Sequence, residues 1–186
     1  MIKKIHPGIE NDLLQNGIDC HIHAYPDFVH RAQDMIQVSV DAARAGMRAV
    51  AFKDHWNVSA NAAYIVQQYI NHMVDAGELE NGIDVYGGAG TCHGMNVEYI
   101  RTAVQYPNFK MIWFPTFTSL GFWRGAGRPN EGGVRLVSPE GEVLPEVIEI
   151  MKIAVESKVG IGFGHTDFEE LLPLAKTAQQ LGVRAT

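Results

Sequence analysis

Along this chain of 186 residues, short apolar runs suited to strands alternate with longer segments whose apolar residues recur at helical spacing. Strands are expected at 17–24, 47–56, 84–93, 109–119 and 159–167. Helices are expected at 32–46, 57–77, 96–106, 142–158 and 167–182. This order dictates a parallel sheet, because each strand returns to its neighbour through a helix, and such crossovers are almost always right-handed. The punctuation agrees. Gly46 and Gly77 end the first two helices, Pro107 closes the third, Pro145 sits in the first turn of the fourth, and Thr166 or Asp167 caps the fifth.

A parallel α/β chain is either an open doubly wound sheet or a closed barrel. No G-x-G-x-x-G follows the first strand, which disfavours a dinucleotide site. Polar residues stand at the carboxyl ends of several different strands, and a barrel gathers such ends around one mouth. The expectation is therefore an α/β fold of the (β/α)8 TIM-barrel type in a single domain, 1–186. It would be incomplete. "LGVRAT" reads as the opening of a sixth strand, so about five and a half βα units are present and the chain reads as truncated. Residues 119–141 interrupt the rhythm with a long Gly-rich loop on the strand-exit side, ending in a hairpin over "GVRLVSPEGEVL" with its turn at "SPEG".

Composition narrows the function classes. Hydrophobic residues are 46% of the chain, enough for a sizeable core, and the net charge is −6. An acidic chain argues against a nucleic-acid or anionic-membrane surface. No apolar run approaches a membrane span, and "MIKKIHPGIENDLL" lacks the features of a signal peptide. Two cysteines, Cys20 and Cys92, are too few for a disulfide framework and read as small buried residues on strands. A cytoplasmic location, a small-molecule substrate, and a homo-oligomer favoured by an unclosed sheet are the corresponding expectations.

The chemistry starts at "GIDCHIHA". Alternate residues of a strand share a face, so His21 and His23 project together, with Cα atoms roughly 6.5 Å apart. Two imidazoles so placed can reach one metal ion. Asp19, one step deeper on the same face, could orient one of them. Of the eight histidines, His21, His23, His55, His93 and His165 fall at or near strand ends, whereas His6, His30 and His72 lie in the tail, a loop and a helix. In "FKDHWN", Lys53 and His55 share a face, and Asp54 and Trp56 adjoin them. Lys53 reads either as half of a buried Lys–Asp pair, with Asp19 a candidate partner, or as part of a metal site. In "GFGHTD", His165 is a further ligand candidate, and Asp167 reads first as a helix cap and second as a base. Glycines 160, 162 and 164 would let a helix approach the outside of that strand. His93 contacts substrate or simply caps a strand. In the loop, Trp123, Arg124 and Arg128 could cover the mouth and bind an anionic group, or be solvated.

"IDCHIHA", with "GMRAVAFKDHW", "MIWFPT", "LPEV" and "GIGFGHTDFEELLPLAKTAQQLGVRAT", resembles the amidohydrolase superfamily over nearly the whole chain. The resemblance is to a little-characterised branch with Lys-x-His ending strand two and Gly-His ending strand five. It implies metal ligands at His21, His23 and His165, with Lys53 or His55 near the metal, and one or two divalent ions, most plausibly Zn2+. It implies hydrolysis of an amide, lactone or related ester by metal-activated water. Candidate catalytic groups are then Lys53, Asp54 and Asp167, and candidate substrate contacts are His93, Trp56 and Arg124. The superfamily's strand-six histidine and strand-eight aspartate would fall beyond Thr186, so the general base is expected there. Its carbamylated lysine normally stands on strand four, unlike Lys53. The competing readings are a phosphoesterase of the PHP type, which "KDH" also resembles, a metal-dependent decarboxylase, and a non-catalytic metal-binding remnant.

Overall fold

The computed structural model describes residues 9–186, so His6 and the reading of the N-terminal tail before Ile9 lie outside the described residues. The order is α1 (Ile9–Leu14), β1 (Ile18–Ile22), α2 (Met35–Arg44), β2 (Ala49–Phe52), α3 (Ala60–Asp75), β3 (Asp84–Gly90), α4 (Val97–Ala103), β4 (Phe109–Trp113), α5 (Leu120–Gly125), a 3-10 turn (Asn130–Gly132), α6 (Pro145–Glu156), β5 (Gly160–Gly162) and α7 (Phe168–Leu181). The fold is mixed α/β with a five-stranded sheet in the order β1-β2-β3-β4-β5, every neighbouring pair parallel. No helix among the described residues is long and apolar enough to cross a membrane.

The chain divides into two compact units. The first contains β1, β2, the start of β3, α2 and most of α3. Ala49 pairs with Ile18 on one side and with Asp84 on the other. Val50, Phe52, Ile70 and Val85 are fully buried in its core, and burying each such side chain contributes about 1.5–3 kcal/mol. Asp34 caps α2 in a reciprocal capping box with Gln37. Gly46 and Gly77 follow α2 and α3 in the left-handed region (φ +76° and +73°), as the sequence predicts. His72 is exposed in the last turn of α3, also as expected.

The second unit contains Lys53–Asn61 and Gly87–Thr186. Gly87–Gly90 of β3, β4 and β5 carry its sheet, and Ile112, Phe114, Ile150, Met151, Ile161 and Leu174 fill its core. Pro145 opens α6 at its first turn, and Asp167 caps α7 by accepting the Glu169 N–H at 3.1 Å. The final residues make an isolated parallel bridge to β5: Arg184 O accepts the Ile161 N–H and the Thr186 N–H donates to Ile161 O. The hairpin after the loop is present, with Val137 bridging Val143 and Gly141 turning the chain.

The differences are local. The strands are shorter than the apolar runs, because the polar residues that follow each run leave the ladder to make turns; β5 keeps only three residues, and the chain turns at Gly164 (φ +67°). Residues 119–141 are not a bare loop. Ser119 caps α5 by accepting the Phe122 N–H, and the glycines around that helix hide it from a periodicity reading. Cys20 is exposed rather than buried, since β1 shows little buried surface. A Cβ on Gly160 or Gly162 would strike the Met111 or Trp113 side chain of β4, so these glycines admit neighbouring strand side chains rather than a helix.

Candidate functional site

At the carboxyl end of β1, in the first unit, the His21 and His23 rings lie edge to face with centres 5.3 Å apart. An imidazole nitrogen sits ~2.0–2.1 Å from zinc, which places two rings on one tetrahedral ion with centres ~5 Å apart. The centre-to-centre distance of this pair is close to that value. Asp19 does not orient a ring: its carboxylate accepts the His21 main-chain N–H at 3.0 Å. Asp27 Oδ2 lies 4.0 Å from His23 Nδ1 and accepts from Arg31 Nε at 2.7 Å. Asp27 follows the strand within a loop, where no periodicity marks it. His30 lies against Tyr25, with ring centres 6.1 Å apart.

In the second unit, the residues leaving β2 turn sharply. Asp54 Oδ1 accepts the N–H groups of Trp56 and Asn57 at 2.7 and 2.9 Å, so this carboxylate holds the turn. His55 is 5% exposed, and its Nδ1 lies 2.6 Å from Thr116 Oγ1. The same hydroxyl lies 3.2 Å from Cys92 Sγ, and the Thr116 N–H donates to that sulfur. Phe117 packs edge-on to the His55 ring, and Trp56 packs edge-on to His93. Thr116 and Cys92 were not foreseen as site residues; the signal was a polar residue at the carboxyl end of each strand pattern, as in "FPTFTS" and "GTCH".

Lys53 is 3% exposed. No carboxylate among the described residues lies within ion-pair distance, which removes the Lys–Asp pair as its explanation. Burial pushes its ammonium down to about 8, and the charge of Cys92 opposes that shift. Partial burial, then the nearby Lys53 charge, hold the His165 imidazole below its ordinary value. At neutral pH His165 is therefore biased to the neutral form, able to accept a proton or bind a metal. Burial, then the Asp54 charge, push the Tyr99 phenol up to about 12. Its hydroxyl is buried without a hydrogen-bond partner among the described residues.

Next to His165, α5 packs closely. Ser119 Oγ lies 2.8 Å from His165 O, and a Cβ on Gly121 would stand 2.6 Å from that carbonyl, so only glycine fits. Arg124 pairs with Asp167 at 3.2 Å and Glu169 at 3.1 Å, and Arg128 lies over the Trp123 ring. The loop arginines are thus held by the protein's own acids and aromatic surface. Glu170, 3% exposed, accepts the N–H groups of Leu136 and Val137 at 2.7 and 3.1 Å and so ties the loop to α7.

Among the described residues, no group of three or more His, Cys, Asp or Glu side chains is gathered to hold a metal ion. No curated protein and no solved structure matches the chain. A family profile does match, over residues 16–186, and on that span the chain belongs to DUF6282, a family of unknown function.

Proposed function

We propose that this chain is a metal-dependent hydrolase on a (β/α)8-type scaffold of the amidohydrolase kind, acting on an amide, lactone or related ester bond of a small molecule. The observation that carries this reading is the spacing of the His21 and His23 rings at the end of β1. His21 and His23 would hold a divalent cation, zinc by the chemistry of two imidazoles. An ion held there would lower the pKa of a bound water and polarise a carbonyl.

Within the second unit, His165 is biased to its neutral form and Lys53 has a value of about 8, so each can exchange a proton near neutral pH. Trp56 and His93, packed on each other, offer a partly exposed aromatic surface for substrate. The test is metal removal, zinc restoration and a screen of amide, lactone and phosphoester substrates. The reading expects amide or lactone turnover that falls with chelation and returns with zinc. Phosphoester turnover alone would replace it with the PHP-type reading, and zinc binding without any turnover would leave a metal-binding remnant.

A further inference from the structure

At the amino ends of β1, β2 and β3, a strand's length from the histidine pair, the first unit holds a cavity of about 530 Å3. That volume falls within the range of small-molecule sites, about 300–1,000 Å3. Its polar wall is made by Gln15, Arg48, Gln67, Asn71, Asn81 and Asp84: side-chain amides with one cation and one anion. Part of this wall is locked in place. Gln67, on α3, accepts the Val85 N–H at 2.6 Å and donates to Ile83 O and Asn71 Oδ1, both at 3.0 Å. Its donor and acceptor are thus spent on the protein, and they fix Asn71 with its amide NH2 as the group left to donate. Gln15 donates to Ala45 O at 3.0 Å and keeps its amide oxygen as an acceptor. A side chain at Gly46 would collide with that amide.

The two charges define the ligand. Arg48 and Asp84 are main-chain neighbours, since the Asp84 N–H donates to Arg48 O at 3.0 Å. Their side chains nevertheless form no ion pair with each other, and Arg48 makes no side-chain hydrogen bond or ion pair among the described residues. Asp84 Oδ2 accepts from the Tyr86 hydroxyl at 3.3 Å, which leaves Oδ1. A lone anion on Arg48 would meet the repulsion of Asp84, and a lone cation on Asp84 would meet that of Arg48. A molecule with a carboxylate and an ammonium on one carbon satisfies both. We propose that this cavity binds a free α-amino acid with a polar side chain, its carboxylate on Arg48, its ammonium on Asp84 and its side chain against the amides. The guanidinium fork suits a carboxylate, and amide walls supply donors and acceptors together. The cavity lies at the opposite end of the strands from the candidate metal ligands, so the inference goes beyond the hydrolase reading and does not rest on it.

The test is titration of the full-length, metal-free protein with L-glutamine, followed by the backbone amide NMR spectrum. Beside it run glutaramate, which lacks the ammonium, 4-aminobutanamide, which lacks the carboxylate, and sodium chloride. L-Glutamine should shift the amides of Arg48, Asn81, Gly82 and Asp84 along one saturable curve, and each half-ligand should bind roughly tenfold more weakly or worse, the loss expected of a charged hydrogen bond. Arg48→Met and Asp84→Asn should each weaken L-glutamine by a similar factor, and Arg48→Lys, which keeps the charge without the fork, by less. Both residues are exposed, and the same spectra check that the variants are folded. No saturable shift at these residues, shifts that sodium chloride reproduces, glutaramate binding as tightly as L-glutamine, or wild-type affinity in folded Arg48→Met overturns the proposal. Because no metal is present, neither result bears on the hydrolase reading.

Discussion

Histidines occur at both candidate regions, but the two differ in what they ask of the fold. At the end of β1, His21 is exposed and His23 partly so, and their strand shows little buried surface. In the second unit, Lys53, His55, Cys92 and Thr116 are all buried. Imidazoles with access to solvent cost the fold less than fully buried polar groups. Buried polar groups are expensive unless satisfied, so the second cluster must be held by specific partners. The difference predicts that replacing the β1 histidines perturbs folding less than replacing the buried polar residues of the second unit, which are part of that unit's stability.

The largest expected effect follows from that dependence on buried polar groups. Glu170→Ala would strand two buried N–H groups, those of Leu136 and Val137, and should lower stability by about 2–4 kcal/mol in urea unfolding. Glu170→Gln keeps an acceptor oxygen and should cost less. If Glu170→Ala unfolds at the wild-type urea concentration, the second unit does not rest on its buried contacts as described.

Lys53 makes a prediction of opposite sign. Its folded value of about 8 lies below the ordinary 10.5. Between those pH values the unfolded chain binds more protons than the folded one, so this group's contribution makes stability rise with pH, by up to about 3 kcal/mol. Below pH 8 the full penalty of the buried charge applies. Lys53→Met should therefore be more stable than the wild type by about 1–3 kcal/mol at pH 7, with the gap closing as pH reaches 10.5. A gap independent of pH would mean that the ammonium is not paying for its burial.

The smallest effect sharpens the comparison by electrostatics alone. The Lys53 charge helps to hold the His165 imidazole down. In Lys53→Met, the His165 midpoint in an NMR titration should rise toward its ordinary value. A His165 midpoint unchanged from the wild type would deny the Lys53 contribution.

Much of the architecture was legible because it is local. Apolar runs, helical spacing and the stops at Gly46 and Gly77 are properties of neighbouring residues, and they carry the strand–helix order. The chemistry-bearing residue types were legible for the same reason, standing at the ends of those runs. Their partners were not. His55 meets a threonine sixty-one positions away, Leu136 meets Glu170, and His23 has Asp27 in a loop with no repeating pattern. Such pairings depend on tertiary approach, which periodicity does not encode. The short helix α5 was missed because glycine, a poor helix former, flanks and enters it, while its Ser119 cap is a single residue.

The central claim is that the His21–His23 pair is an arm of a metal site, and zinc titration of the metal-free protein by calorimetry, beside the double variant His21→Ala/His23→Ala, tests it most directly. The account predicts at least about one zinc per wild-type chain with proton release, and no measurable binding by a double variant whose circular dichroism is unchanged. Equal zinc stoichiometry and affinity in the two proteins would contradict it.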